Sequence, residues 1–187
     1  MKKQDNFQHN FSLKGYTSIQ IGLYILLAAF VIKKMLEGFL IDDNPMGMMS
    51  AQIIEILILT IIFITLLLSS FAIFFKGRRK AKKLQYILWN SKTKTSFWKF
   101  LISYLIIFLV LIIITMNNYL DYLAPVFLIL YALSLLILKL KKSNNLFVLA
   151  AISLLLAIIC LLIPNYWYSS FFILGIAHIT YGVVVKN

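Results

Sequence analysis

One cysteine, three prolines and six acidic side chains are all that 187 residues hold of those types. Cys160 stands alone, so neither an intrachain disulfide nor a CxxC redox or zinc site can form. Inside an apolar run it reads as a small packing side chain. The acids are too scattered for carboxylate chemistry: no two of them share an apolar run, as a diiron or aspartyl site requires. HExxH, GxSxG and glycine-rich phosphate-loop patterns are missing. So are the regularly spaced arginines of a voltage sensor. The sequence therefore predicts no catalytic residue, no cofactor and no metal site.

What the chain has in excess is hydrocarbon. Hydrophobic residues make up 62% of it and the mean hydropathy is +0.94, whereas a soluble domain is roughly half apolar. No soluble fold of this length could cover that surface, so its solvent is expected to be lipid. Continuous apolar runs fall at residues 16–35, 53–75, 97–116, 122–138, 146–163 and 166–185. Crossing hydrocarbon takes roughly 20 apolar residues in a helix, and only helices or closed barrels satisfy their backbone there. Barrel strands alternate apolar and polar residues; these runs do not. The expected fold is an all-α integral membrane protein. It is a six-transmembrane-helix bundle over 16–187, a single domain behind a polar tail, 1–15. The first run meets Lys33-Lys34 with no small-residue cleavage site, so it is expected to be a retained helix rather than a signal peptide.

Charge orders these runs. The 18 lysines and arginines outnumber the acids and leave a net charge of +12. In a soluble protein that balance would point to nucleic acid. Here the basic segments are short and attached to apolar runs, so no nucleic-acid partner is expected. Lys2, Lys3 and Lys14 precede the first run, nine basic residues lie between Lys76 and Lys99, Lys139, Lys141 and Lys142 follow the fourth run, and Lys186 follows the last. With six spans all of these share one side, and only Lys33 and Lys34 lie on the other, together with Glu37, Asp42, Asp43 and Asp121. The positive-inside rule then places both termini in the cytoplasm. Tyr119, Tyr122, Tyr166, Trp167 and Tyr168 gather at the opposite ends, where an aromatic belt belongs. Abundant Lys, Ile and Asn suggest an AT-rich bacterial genome, hence the cytoplasmic membrane of a bacterium.

The segment 76–96 is read as a basic cytoplasmic loop. Lys76, Arg78, Arg79, Lys80, Lys82 and Lys83 are candidates for anionic-lipid contact. Leu84, Ile87 and Leu88 follow at helical spacing, as in an interfacial helix. Small residues form a second pattern. Gly15, Gly22 and Ala29 recur every seven positions, and Gly175 and Gly182 are also seven apart, with His178 between them. Residues at such spacing share a helix face, and small faces let helices approach closely in lipid. The first and last spans are thus expected to pack tightly, with each other as one option. Phe100–Tyr119 and Phe147–Tyr166 align at an offset of 47, which suggests a duplicated hairpin.

His178 is the one ionisable residue deep in a span, a candidate intramembrane polar site with Tyr181 and Thr180 as local partners. Glu55, at the start of the second run, is expected to pair with Lys33 or Lys34. These features support three functions. The first is a non-enzymatic accessory or self-assembling membrane component, a homo-oligomer or one with a membrane-protein partner. The second is a small-solute transport or substrate-capture subunit. Six helices in about 190 residues resemble the size of the substrate-binding subunits of energy-coupling-factor vitamin transporters. Those subunits are richer in alanine, glycine and polar substrate contacts. The third, a membrane enzyme, has no motif behind it.

Overall fold

A computed structural model describes residues 15–39, 50–83, 91–117, 119–137, 145–163 and 166–185. The described residues hold six α-helices and no strand: α1 (Tyr16–Phe39), α2 (Ala51–Lys83), α3 (Ser91–Met116), α4 (Leu123–Ile137), α5 (Asn145–Leu162) and α6 (Trp167–Val184). A 3₁₀ turn, Leu120–Tyr122, leads into α4. The tail before Gly15, the Asp42–Pro45 loop, the Leu84–Leu88 segment, the lysines at 139–142 and the Pro164-Asn165 turn lie outside the described residues.

Backbone satisfaction shapes the helices. Thr65, Ser69, Ser70, Ser103, Thr115 and Ser153 each donate their hydroxyl to the carbonyl one turn back. Hydroxyls in lipid need a partner, and the residue's own helix is the nearest acceptor. Pro125 sits in the first turn of α4, where no intrahelical N–H is required.

Among the described residues four helices are long and apolar enough to cross a membrane: Tyr16–Gly38, Gln52–Lys83, Thr93–Met116 and Trp167–Val184. Two more, Leu123–Ile137 and Leu146–Leu162, are apolar but shorter. The 15 residues of α4 rise about 22 Å, less than the hydrocarbon thickness of about 30 Å. Length and composition therefore mark four spans where six apolar runs were read. The molecule is a helical membrane protein.

The basic segment is not a loop throughout. Helix α2 continues through Lys83 and α3 begins at Ser91, so residues 76–83 and 91–96 are helical. Lys and Arg are good helix formers, and a positive charge says nothing against helix. At 33 residues α2 is about 50 Å long and overshoots any hydrocarbon core.

Helix α4 buries Leu123, Ala124, Phe127, Leu128, Tyr131, Ala132 and Leu135 in the core. The α1 stripe Ile21, Ile25, Ala29 and Ile32 faces the same core. The α2 and α3 spans are only 28% and 22% buried, against 39% for α6, so this hairpin is the least covered part of the molecule.

Candidate functional site

The site begins where α1 meets α6. A Cβ on Gly22 would lie 2.6 Å from the Gly175 carbonyl oxygen, and one on Gly182 would lie 2.7 Å from that of Gly15. Only glycine permits such an approach. The pairing of Gly15 with Gly182 and Gly22 with Gly175 makes the two helices antiparallel. Gly15 itself has φ of 58°, a left-handed value that glycine adopts freely. Its carbonyl accepts the first bonds of α1, from Ser18 and Ile19, while its N–H donates to the Val185 carbonyl at 3.0 Å. Ala29, the third small residue of the α1 stripe, instead lines a cavity bounded by α1, α2, α3, α4 and α6.

This close approach brings Ser18 onto His178. Both are fully buried. The Ser18 hydroxyl donates to the His178 carbonyl at 2.8 Å, and the same oxygen lies 3.2 Å from His178 Nδ1. Its single proton is thus engaged, so toward Nδ1 the oxygen acts as acceptor and Nδ1 carries the hydrogen. In the neutral imidazole Nε2 is then an acceptor, and the Tyr131 hydroxyl, 2.7 Å away, donates to it. Every polar atom of the imidazole is used, and the contacts tie α1, α4 and α6 together. Phe127 stacks on Tyr131 at 5.8 Å with 10° between the rings, and Phe171 packs on Phe127 at 5.4 Å. These rings fix the phenol that holds the imidazole.

The expected local partners of His178 do something else. Thr180 donates to the carbonyls of Ile176 and Ala177 on its own helix. The Tyr181 hydroxyl is buried with no hydrogen-bond partner among the described residues. Thr180, two positions from His178, points to another side of the helix; Tyr181, three positions away, shares the side of His178, but its hydroxyl makes no bond to the imidazole. Neither Ser18 nor Tyr131 is marked by any sequence pattern as a partner of His178. The available signal was a tyrosine in the middle of the most apolar helix.

The ion pairing also differs. Lys33 and Lys34 both pair with Glu37, at 3.6 and 3.0 Å, one turn along the same helix. Lys33 Nζ additionally sits 5.5 Å from the centre of the Tyr168 ring. Glu55 is half-buried and makes no ion pair among the described residues. A partner within one turn needs no loop ordering, so the local acid wins. On α2, Arg78, Arg79, Lys82 and Lys83 are exposed; Lys76 is half-buried, and Lys80 lies in the same helix.

The cavity beside the cluster is lined by Tyr131, Tyr104, Thr65 and Ser69 among apolar side chains and measures about 40 Å³. One water needs about 10–15 Å³ on this measure, so it holds at most a few waters. Among the described residues no group of three His, Cys, Asp or Glu side chains gathers to hold a metal. Cys160 donates its thiol to Ser170 Oγ at 3.0 Å, a packing contact between α5 and α6. Comparison with protein-family models, curated proteins and solved structures finds no match to this chain.

Proposed function

We propose that the protein is a non-enzymatic membrane component that assembles through its α2–α3 hairpin, with itself or with another membrane protein. The observation that carries this reading is the bare face of α3. Leu101, Ile102, Leu105, Ile106, Leu109 and Ile113 are all exposed and recur at helical spacing. Helix α3 is also the least buried of the spans. Lipid can cover such a face, but a long helix with few contacts to its own bundle is well placed to take a second helix.

In this reading all six apolar helices cross the cytoplasmic membrane of a bacterium, with both termini inside. The distribution of Lys and Arg supports that orientation. The shorter α4 and α5 then span by local thinning of the bilayer or by extension into their flanking residues. The solute-capture reading has less support, since a cavity of about 40 Å³ beside the Ser18–His178–Tyr131 cluster is too small for a vitamin-sized ligand.

Cysteine cross-linking tests the assembly. In a Cys160→Ser background, which keeps a donor for Ser170, Leu105→Cys and Leu109→Cys are expected to form disulfide-linked species in native membranes. Ile158→Cys on the exposed face of α5 is the control. Linkage no greater at α3 than at α5 would sink the proposal.

A further inference from the structure

Helix α2 carries two features on one stripe. Ile61, Ile64, Thr65 and Leu68 form one wall of a groove of about 200 Å³ between α1 and α2. Steps of four and three residues from Ile61 lead through Thr65, Leu68, Ala72 and Phe75 to Arg79 and Lys82. Such alternating steps stay on one helix face. The apolar groove therefore runs out, on the same side of the helix, into exposed cations.

The lengths match a single lipid leaflet. Arg79 lies 18 residues past Ile61, about 27 Å at 1.5 Å per residue. A leaflet holds about 15 Å of hydrocarbon and a headgroup layer of about 5–8 Å. The difference is closed by the side chains themselves. Helical side chains lean toward the N-terminus, so those of Arg79 and Lys82 reach back along α2 toward the groove. On the facing wall the Tyr24 hydroxyl accepts a bond from Gln20 Nε2 at 2.6 Å and keeps its own proton to donate to an ester oxygen.

We propose that the α1–α2 groove and the basic end of α2 bind one anionic phospholipid, an acyl chain in the groove and the phosphate on Arg79 and Lys82. Charge complementarity selects the headgroup and the apolar wall selects a chain, so the ligand is a phospholipid and not free phosphate.

Native mass spectrometry of the full chain from nanodiscs of equal phosphatidylglycerol and phosphatidylcholine tests this. The wild type is expected to retain one phosphatidylglycerol in preference to phosphatidylcholine. Arg79→Gln with Lys82→Gln is expected to abolish the preference, each cation being worth about fivefold near an anionic surface. Val31→Phe fills the groove at a side chain already 47% exposed, so the fold is kept. It is expected to lower retention of both lipids. Glycerol phosphate, a headgroup without a chain, is expected to leave the melting temperature unchanged. Equal retention of the two lipids by the wild type would overturn the proposal. So would an unaltered preference in the double variant, or stabilisation by glycerol phosphate equal to that by the lipid.

Discussion

Polar side chains in this molecule divide by where their hydrogen bonds go. Most hydroxyls return to their own helix and add nothing to tertiary structure. Ser18, Tyr131 and His178 are different, because each bonds a residue at least 47 positions away. Tyr131→Phe leaves Nε2 buried and without a donor, which costs about 1–3 kcal/mol. Denaturant unfolding in micelles is expected to show that loss, and a double-mutant cycle of Tyr131→Phe with His178→Leu to show coupling of about 0.5–2 kcal/mol. Simple additivity would mean that the bond contributes nothing. Tyr181→Phe makes the opposite prediction. Its hydroxyl is buried with no partner among the described residues, so removing it should leave stability unchanged or raise it by about 1 kcal/mol. A clear loss in the same assay would show that this oxygen has a partner after all.

At the scale of the helix, the α1–α6 contact is the most sensitive junction. Gly22→Ala sets a methyl 2.6 Å from a backbone oxygen that cannot rotate away. Separating the two helices also stretches the Ser18–His178 bonds, so a cost of about 2–3 kcal/mol is expected. Ala29→Gly, on the same stripe but lining a cavity, should cost no more than about 1 kcal/mol. Equal effects on the midpoint of unfolding would mean that the approach of the backbones is not what glycine serves. The small-residue spacing was readable in the sequence because its period is that of the helix itself. The extent of α2 was not. Charges that mark the edge of hydrocarbon do not mark the end of a helix, and Phe75 to Lys83 contains no proline to stop it.

For the molecule as a whole, apolar runs and the positions of the basic residues carry most of what the sequence discloses. All-helical membrane character is written in composition. The count of spans is less so, because α4 and α5 fall short in length while remaining as apolar as the rest. The His178 partners were hidden for a different reason: Ser18 and Tyr131 come near it only when three helices assemble, and no periodicity encodes that. Single cysteines in a Cys160→Ser background can count the crossings. Cysteines at positions 43 and 121 are expected to react with an impermeant maleimide in intact cells, and those at 79 and 141 only after lysis. Labelling of 79 or 141 in intact cells would remove the six-span orientation.

The helix that completes the bundle is also the last of the six to be synthesised. Ser18 waits for a partner 160 residues downstream, and at about 5–20 residues per second the ribosome takes on the order of 10–30 s to supply it. Throughout that interval the glycine face of α1 stands open in the membrane to any other helix with a small surface. Nascent chains stalled before α6 should therefore be the form that a membrane protease or an insertion chaperone engages.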